Sequence, residues 1–450
     1  MFDKILIANR GEIAVRIIRA CREMNIQTVA IYSEADADAL HTQLADEAVC
    51  IGPAQAQKSY LNMEAIISAA VLTKAKAIHP GFGFLSENSK FAKMCETCGI
   101  TFIGPDKDVM ESMGNKSKAR ETMETAGIPI VPGSKQPIKT VQEGLKLASE
   151  IGYPVILKAS AGGGGKGMRV VTKEEEFQGL FANAKMEAKN AFGDDSMYME
   201  KYVINPKHVE FQIMADKFGN VIHLFERDCS IQRRHQKVLE EAPCQVLNES
   251  VRKAMGECAV KVAKYIGYYS AGTVEFLLDE NQSFYFMEMN TRVQVEHPVT
   301  EMITGLDIIK EQIRIAAGLP LSISQEEVIT SGHAIECRVN AEDAYHNFRP
   351  CPGSITNLHI PGGNGVRVDT AIYTGYKIPP YYDSMLAKVI VKGRNREEAI
   401  DKMRSVLGEF IVEGVTTNID FLYEIIQNRT FCNGEINTGF IEQEFSKVLK

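Results

Sequence analysis

Strand-like and helix-like segments alternate through the first hundred residues, and this alternation limits the possible folds more than any other feature of the chain. Apolar residues recur at helical spacing across Glu12–Met24. Short apolar runs predict strands at Lys4–Ala8, Gln27–Tyr32, Ala48–Ile51 and Ala75–Ile78. Strands that are separated by helices pair in parallel, so we predict a doubly wound α/β domain over residues 1–114.

The loop after the first predicted strand argues against a dinucleotide cofactor. Its sequence, Ala8–Ile13, lacks the Gly-x-Gly-x-x-Gly pattern, although Glu34 follows the second strand. A glycine-rich loop, His79–Asn88, comes directly after another predicted strand. Because open α/β sheets bind ligands at the carboxyl ends of their strands, we expect this second loop to contact a ligand.

The rest of the chain divides into a central and a C-terminal region. Helical spacing near Asn115–Ala126 ends at Gly127–Pro129, and a small lobe follows. The lobe has predicted strands at Pro154–Lys158, Met168–Val171 and within Ser196–Val203, and a hairpin lies near 272–289. After Gly318–Pro320 the pattern becomes largely β. We predict a central domain at 115–330 with a mobile lid at about 131–203, and a mostly β domain at 331–446, in a chain that is α+β overall.

Charge and composition exclude several classes of protein. A net charge of −8 argues against a nucleic-acid binder, and the basic run Arg227–Lys237 has no interleaved aromatic residues, so we expect it to line an anionic small substrate. The segment Met1–Ala8 runs straight into a strand, and no apolar run is long enough to span a bilayer. Ten cysteines are irregularly spaced, and the pair Cys95 and Cys98 has no second pair to complete a metal site. We expect a cytoplasmic protein without disulfides or a membrane partner.

Four successive glycines stand between two lysines in the segment Lys158–Met168. Glycine backbones let several amides approach one anion, and Lys158 and Lys166 add positive charge. The segment is not a Walker A loop, because Gly167 follows Lys166 and a strand comes next. We predict a strand–loop–strand lid that covers phosphates; the alternative is a surface hairpin with no ligand.

The predicted hairpin carries carboxylates among apolar residues. If a two-residue turn is centred on Glu280 and Asn281, then Glu275, Glu288 and Asn290 lie on one face. Two carboxylates and an amide oxygen suit one or two Mg²⁺ ions that also hold phosphate oxygens. A three-residue turn would reverse the alternation, and solvent-exposed glutamates are the alternative interpretation.

Immediately beyond the hairpin, Arg292, Gln294 and Glu296 alternate. On an extended segment the three side chains would point the same way. A cation, an amide and a carboxylate base together suit a small oxyanion that must lose a proton. Together with the predicted phosphate lid and Mg²⁺ residues, this set indicates an enzyme that activates a small carboxylate-type acid with ATP.

In the segments Lys4–Ala14, His79–Asn88, Lys158–Met168, Glu226–Lys237 and Glu288–Glu301, the chain closely resembles the biotin carboxylases, which are ATP-grasp enzymes. The resemblance runs to about Glu442. It implies a Rossmann-like N-terminal domain, an ATP-grasp domain with a mobile lid, and a C-terminal domain that completes the site. One departure is Phe82, where the family usually has tyrosine.

The resemblance implies roles for individual residues. For ATP they are Lys116, Lys158, Gly162, Gly163, Gly164, Gly165, Lys166, Gly167, Met168, Glu200, Lys201, Val203, His208, Gln232, His235, Glu275 and Glu288. For Mg²⁺, or Mn²⁺ in its place, they are Glu275, Glu288 and Asn290. For bicarbonate and biotin they are Phe82, Gly83, Lys237, Arg292, Gln294, Val295, Glu296 and Arg338. The implied catalytic residues are Lys237, Arg292, Glu296 as the base for bicarbonate and Arg338, which stabilises the biotin enolate.

The resemblance also implies the reaction and the partners. The γ-phosphoryl group of ATP is transferred to bicarbonate, and the resulting carboxyphosphate releases CO₂ beside deprotonated biotin. A biotin-acceptor site needs Met-Lys-Met in a tight turn, and the nearest match, Ala184–Glu187, lacks the first Met and has a helical pattern. We therefore expect a separate biotin carboxyl carrier protein, separate carboxyltransferase subunits and a homodimer. By analogy, a chain of 450 residues favours acetyl-CoA carboxylase over pyruvate or propionyl-CoA carboxylase.

Two other functions stay open at this point. One is a different ATP-grasp ligase that phosphorylates an acid for amide synthesis. The other is a nucleotide sensor without catalysis, although a sensor has no need for a bicarbonate base such as Glu296. Bicarbonate-dependent ADP release that requires free biotin distinguishes the biotin carboxylase from both.

Overall fold

The computed structural model describes residues 1–159, 168–192 and 195–446, without the side chains at 116, 117 and 190–192. The chain forms two compact units. The first comprises Met1–Ala126, Lys207–Phe276 and Glu288–Lys450, and the second comprises Gly127–Pro206 and Leu277–Met287. The predicted division into domains at 1–114, 115–330 and 331–446 stays a prediction.

The first unit begins with a five-stranded parallel sheet. Its strands are β1 (Lys4–Ile7), β2 (Gln27–Tyr32), β3 (Glu47–Cys50), β4 (Ala77–His79) and β5 (Thr101–Phe102). They pair in the order β3-β2-β1-β4-β5, as a doubly wound sheet requires. The helices of this region are α1 (Gly11–Glu23), α2 (Leu40–Leu44), α3 (Met63–Leu72), α4 (Ser89–Thr97), α5 (Lys107–Gly114) and α6 (Lys116–Thr125). The predicted α/β fold class is confirmed.

Local sequence explains where these elements begin. The strand β1 forms because Ile5, Leu6 and Ile7 are fully buried between layers. Asparagine side chains at the N-caps of α3, α4 and α6 each accept a hydrogen bond from a backbone N–H of the first turn. Asn88 is one of these, so the glycine-rich loop ends where α4 begins.

The second unit contains a small antiparallel sheet with helices. Its strands are β6 (Val155–Ala159), β7 (Met168–Val171) and β8 (Met197–Lys201), paired in the order β7-β6-β8. Its helices are α7 (Val141–Ile151) and α8 (Glu174–Phe192). A core that includes Leu157, Phe177 and Met199 joins the sheet to the helices.

Most of the rest of the first unit is built on one large sheet. The strands in this part of the chain are β9 (Lys207–Ala215), β10 (Val221–Arg233), β11 (Gln236–Ala242), β12 (Ser270–Leu278), β13 (Phe284–Asn290), β14 (His333–Asn340), β15 (Glu342–Asp343), β16 (Arg349–Pro350), β17 (Asn357–His359), β18 (Val366–Thr370), β19 (Met385–Gly393) and β20 (Ile411–Glu413). Eight of them pair in the order β13-β12-β9-β10-β11-β14-β19-β18. The helices are α9 (Glu249–Tyr265), α10 (His297–Thr304), α11 (Ile308–Ala316), α12 (Arg396–Glu409), α13 (Ile419–Gln427), α14 (Arg429–Cys432) and α15 (Phe440–Phe445). The long helices α12 and α13 were not expected from the largely β pattern.

The two faces of this sheet differ in chemistry. Alternate residues of β14, including Ile335 and Cys337, pack with residues of α12 and α13 in an apolar core. The residues between them, Glu336 and Arg338, point to the other face, since side chains alternate along a strand. This second face carries the charged residues that form the candidate site. No described helix is both long and apolar enough to cross a bilayer.

The turn between β12 and β13 has three residues, so the predicted two-residue turn is wrong. The N–H of Asp279 donates to the carbonyl of Ser283 at 2.9 Å, and the N–H of Gln282 donates to the carbonyl of Asp279 at 3.1 Å. Gln282 has a φ of 63°, the left-handed conformation that closes such a turn. The Asp279 carboxylate selects this geometry, because it also accepts the N–H groups of Asn281 and Ser283.

Candidate active site

A partly buried lysine lies at the centre of the charged face. Lys237, on β11, has its Nζ 2.6 Å from Glu210 Oε2, 2.6 Å from Glu296 Oε1 and 3.1 Å from Glu275 Oε1. Burial opposes the positive charge, but Cys229 and the three carboxylates raise the pKa of Lys237 well above its ordinary value. The ammonium group therefore stays charged and holds three carboxylates in one place.

Arg338, on β14, connects two further carboxylates. Its Nε donates to Glu240 Oε1 at 2.7 Å, and its Nη2 donates to Glu296 Oε2 at 2.9 Å. Burial alone would raise the pKa of Glu296, but Lys237 and Arg338 hold it well below its ordinary value. Glu296 is therefore an ionised carboxylate with one cation on each oxygen. Burial raises the pKa of Glu240, against the opposing effect of Arg338.

Glu275 is the meeting point of the predicted metal residues. Its Oε1 accepts hydrogen bonds from Asn290 Nδ2 at 2.8 Å and from Gln294 Nε2 at 3.1 Å, so the structure brings Asn290 beside Glu275 despite the longer turn. Its Oε2 lies 3.0 Å from His208 Nε2. Glu288 lies on β13 two residues before Asn290, on the same face of the strand, and is half-buried.

A group of three possible metal ligands lies beside these residues. His208, Glu210 and Glu275 are buried, and each offers a ligand atom within 4.8 Å of the others. Burial lowers the pKa of His208, but the charge and hydrogen bond of Glu275 raise it above its ordinary value overall. Of the ligand atoms in this region, the carboxylate and amide oxygens suit a hard cation such as Mg²⁺.

The segment between β13 and α10 is not extended, so the predicted alternation of Arg292, Gln294 and Glu296 along a strand is wrong. The helix α10 has Pro298 in its first turn and Glu296 as its N-cap, so the chain must leave the extended conformation before Glu296. The three side chains still join one network. Arg292 Nη1 donates to Gln294 Oε1 at 2.7 Å, and Gln294 and Glu296 reach Glu275 and Lys237 respectively.

The glycine-rich loop after β4 lies in the same unit. Asn9 Nδ2 donates to the carbonyls of Pro80 and Phe82, each at 2.7 Å, which fixes the loop to the end of β1. Gly83 has a φ of 68°, a conformation that glycine adopts without strain. The Phe82 ring centroid lies 5.9 Å from the ammonium nitrogen of Lys388.

The second unit holds a separate set of predicted ATP residues. Lys158 on β6 forms an ion pair with Glu200 on β8, and Met168 on β7 pairs directly opposite Lys158. Lys201 Nζ donates to the carbonyls of Gly152 at 2.8 Å and Tyr153 at 3.2 Å. Val203 is buried just after β8. This arrangement places one cation beside a carboxylate on neighbouring strands of a small sheet.

The remaining predicted ATP residues are dispersed. Gln232 is buried on β10 and pairs opposite Lys237, whereas His235 is exposed in the turn between β10 and β11. The glycines Gly162–Gly167, with Lys166, lie outside the described residues, and so does the side chain of Lys116.

The predicted role of the basic run as a lining for substrate is wrong for Arg227. Its side chain is 0% exposed, and its nitrogens donate to Glu210, Gln212, Thr300 and Thr273. All these acceptors are protein groups, so Arg227 supports Glu210 rather than facing a ligand. Arg227 is also too deeply buried to reach substrate.

Two carboxylates at the centre of the site were missed by sequence reasoning. Glu210 lies two residues after His208 on β9 and so shares its face, a signal that was present in the sequence. Glu240 lies on β11 and pairs opposite Glu336, a relationship that only the sheet register reveals. Both residues are 0% exposed.

Comparisons with known proteins identify the family to which this chain is similar. Three family models match consecutive stretches of the chain: the N-terminal domain of biotin carboxylase at residues 1–110, the ATP-binding domain of the carbamoyl-phosphate synthase L chain at 115–324, and the C-terminal domain of biotin carboxylase at 336–443. Biotin carboxylase 1 of Bacillus subtilis is 59% identical over 443 residues, which cover 98% of this chain and 98% of that protein. A pyruvate carboxylase subunit of Methanothermobacter thermautotrophicus is 53% identical over an alignment of 457 positions, which covers 100% of this chain and 93% of that protein.

A solved structure with the same fold contains ligands. The biotin carboxylase domain of Hydrogenobacter thermophilus 2-oxoglutarate carboxylase was solved as a dimer with MgADP, ADP and bicarbonate. It matches this chain with a TM-score of 0.89 and 53% identity, over 100% of this chain and 99% of that one. The predicted family is therefore confirmed, and with it the ATP-grasp architecture. This chain belongs to the biotin carboxylases, a family of ATP-dependent ligases.

Proposed function

We propose that this chain carboxylates biotin on a separate carrier protein, using bicarbonate and MgATP, with carboxyphosphate as the intermediate. The products are ADP, phosphate and carboxybiotin. The observation that carries the proposal is the position of Glu296, whose two carboxylate oxygens contact Lys237 and Arg338 on neighbouring strands. A carboxylate held between two cations suits a small anion that must give up a proton.

Bicarbonate binding follows from these charges. Lys237, Arg292 and Arg338 offer cationic donors, and the Gln294 amide lies among them. A bound bicarbonate would compete with Glu296 for the same cations, which raises the pKa of Glu296 toward a value that lets it take a proton. The backbone at Val295 completes the proposed anion site. In this account Glu296 deprotonates bicarbonate, and an oxygen of the deprotonated anion then attacks the γ-phosphorus of ATP.

The residues proposed for Mg²⁺ fit a hard cation. The pKa of Glu275 is lowered, because Lys237 and His208 outweigh the effect of burial, so Glu275 is ionised at neutral pH. Glu288 and the Asn290 amide supply further oxygen donors of the kind that Mg²⁺ prefers. When bound, the metal would neutralise charge on the phosphoryl group that is transferred. The protein's own part is to keep these oxygens converged while Lys237 holds Glu275.

Nucleotide binding is assigned from the sequence pattern together with the second unit. Lys158 is paired with Glu200, so an ATP phosphate would have to replace that carboxylate as its partner. We assign Lys116 and the glycines Gly162–Gly167 to the phosphates. The edge of the adenine is assigned to Glu200, Lys201 and Val203, and the nucleotide region of the first unit to His208, Gln232 and His235.

Biotin is assigned to the space beside Arg338 and Phe82. Biotin must lose a ureido proton before it attacks CO₂, and the negative charge that develops on its oxygen needs a fixed cation. Arg338 is held by Glu240, so its guanidinium is already oriented for that role. Phe82 lacks the hydroxyl of the usual tyrosine, so this wall of the pocket is apolar.

The relatives support the wider assignment. The Hydrogenobacter protein was solved as a dimer with MgADP and bicarbonate, which supports the same ligands and a homodimer for this chain. The Bacillus relative is named a biotin carboxylase, and the Methanothermobacter relative belongs to a pyruvate carboxylase. We propose acetyl-CoA carboxylase as the host enzyme in the cytoplasm, with pyruvate or propionyl-CoA carboxylase as the alternative.

The function is tested by ADP release in the presence of ATP, Mg²⁺, bicarbonate and free biotin. The proposal requires that ADP release rise with bicarbonate and biotin together, and that labelled bicarbonate appear in biotin. The proposal would be overturned if ADP release did not depend on biotin and no label appeared in biotin. The host enzyme is tested by adding acetyl-CoA, propionyl-CoA or pyruvate with the carboxyltransferase that co-purifies with the chain; malonyl-CoA is the expected product.

A further inference from the structure

Lys388, on β19, is a fully buried lysine that the proposed reaction does not use. Its side chain is 0% exposed. Lysine is almost never fully buried unless it is paired, because removing an ammonium group from water is strongly unfavourable. The position therefore requires partners that compensate for the lost hydration.

The ammonium group contacts groups from several parts of the first unit. Its Nζ lies 3.2 Å from Glu12 Oε2 at the start of α1 and 4.0 Å from Asp369 Oδ2 on β18. It also donates a hydrogen bond to the backbone carbonyl of Val295 at 2.9 Å. Glu12 and Asp369 are the acidic partners of the ammonium group, so the hydrogen bond to the neutral carbonyl of Val295 is not needed to balance the charge.

The carbonyl of Val295 belongs to the peptide that joins Val295 to Glu296. Residues 291–296 lie in no strand or helix, so this carbonyl has no place in a regular ladder. The other anchors of the turn are on either side: His297 Nδ1 lies 2.9 Å from the carbonyl of Gln294, and the N–H of Val299 donates to the carbonyl of Glu296 at 3.3 Å. Lys388 therefore fixes the one peptide plane between these anchors.

The sheet register places Lys388 directly beside the reacting groups. Lys388 pairs opposite Arg338 on β14, and Arg338 bonds to Glu296. Glu296 is thus fixed at its carboxylate by Arg338 and Lys237, and at its backbone by Lys388. A change in the Val295–Glu296 peptide plane would rotate the Cα–Cβ bond of Glu296 away from both cations.

We infer that Lys388 is a positioning residue for bicarbonate: by holding the carbonyl of Val295 it orients both the backbone of the anion site and the carboxylate of Glu296. The inference rests on the proposed function, because it concerns bicarbonate at the site assigned above. Lys388 itself contacts no reacting atom. Its loss should therefore weaken bicarbonate binding selectively and leave ATP binding unchanged.

The test compares variants that differ only in the donor to Val295. Lys388→Met alone would leave Glu12 buried without its cation and could unfold the protein. The comparison therefore uses Glu12→Gln as the background and adds Lys388→Met to it, so that both members of the ion pair are neutral. In the same background, Lys388→Arg in place of Lys388→Met restores a charged donor to the Val295 carbonyl. Lys392→Met is the matched control on the same strand, since Lys392 donates to Ser331 Oγ at 3.0 Å and not to the anion site.

Apparent KM values for bicarbonate and ATP are measured from ADP release with free biotin. Between Glu12→Gln and Glu12→Gln/Lys388→Met, the KM for bicarbonate should rise roughly ten-fold or more, the loss expected for a charge-assisted hydrogen bond, while the KM for ATP stays the same. Lys388→Arg should recover part of the loss, and Lys392→Met should resemble the parent protein.

Other results would overturn the inference. An unchanged KM for bicarbonate, or an equal rise in both KM values, would show that Lys388 only supports the fold. Failure of the doubly neutral variant to fold would lead to the same conclusion. These results leave the proposed function intact as long as the parent protein releases ADP in response to bicarbonate and biotin. If the parent does not, it is the proposed function that fails.

Discussion

Arg338 holds Glu296 from one side while it is itself held by Glu240. The Arg338 Nε lies 2.7 Å from Glu240 Oε1, and the Nη2 lies 2.9 Å from Glu296 Oε2. Because β11 and β14 pair in register, with Leu239 opposite Cys337, the strands fix the distance between Glu240 and Arg338. One guanidinium group therefore serves as the cation assigned to biotin and also orients Glu296, the base assigned to bicarbonate.

This relationship predicts that Arg338→Gln separates ATP hydrolysis from biotin carboxylation. The variant lacks the charge that stabilises the biotin enolate, but the residues assigned to ATP and to Mg²⁺ are unchanged. We expect biotin carboxylation to fall by roughly 10²-fold or more, while slow ADP release without biotin persists. Calorimetry with ATP serves as the control for nucleotide binding. Parallel loss of both activities with intact ATP binding would contradict the assignment.

Glu288→Gln tests the metal face. The substitution keeps the size of the side chain and removes one charge, so the fold should persist while turnover falls by roughly 10²-fold or more. Raising Mg²⁺ should recover part of the activity, since a weakened site fills at higher concentration. Glu280→Gln, at an exposed position in the adjacent turn, is the control and should behave as the parent. Full activity of Glu288→Gln at ordinary Mg²⁺ would remove Glu288 from the site.

Asp369→Asn tests a pH-dependent contribution to stability. Burial alone would raise the pKa of Asp369, but two hydrogen bonds from Arg367, at 2.9 and 2.7 Å, lower it from 3.8 to about 2. A lowered pKa stabilises the folded state above the unfolded pKa, and this stabilisation is lost as the pH falls toward the folded value. The parent should exceed the variant in free energy of unfolding by about 2 kcal/mol near pH 6 and by about 1 kcal/mol near pH 3.

Urea titrations followed by circular dichroism measure this difference. Asp401→Asn is the control, because Asp401 pairs with Arg404 on an exposed surface of α12 and contributes little. A stability difference for Asp369→Asn that stays constant across the same pH range would contradict the lowered pKa.

The elements that the sequence predicted correctly have strong local signals. The strands β1 and β2 consist mostly of buried apolar residues, so the sequence pattern alone identifies them. The strand β5 has only two residues, Thr101 and Phe102, and is too short for any pattern. The helix α12 was missed although Ile400, Met403 and Leu407 follow helical spacing, because the surrounding turns favoured β structure.

The sequence predicts those site residues that lie close together in short segments rich in charged and amide side chains. Glu275 and Asn290 come together as expected, and Glu296 joins them through Lys237, but strand alternation is not what brings these residues together. The turn has three residues, and the segment after Asn290 leaves the strand conformation. Lys388 and Glu240 carry no local signal, because their roles depend on which strands become neighbours in the sheet.

The alternatives that the sequence left open are now reduced. The similarity to biotin carboxylases extends over nearly the whole chain, so the chain does not belong to a family of amide-forming ligases. Membership of an enzyme family also argues against a nucleotide sensor without catalysis. The residue roles and the host enzyme stay predictions.

Glu296→Ala tests the central claim most directly, because it removes the proposed base and keeps every residue assigned to ATP. The measurement is transfer of labelled bicarbonate to free biotin, with ATP affinity determined by calorimetry on the same samples. We predict that transfer is abolished while the affinity for ATP stays near that of the parent. If Glu296→Ala carboxylates biotin at the parent's rate, the active site has been placed in the wrong part of the molecule.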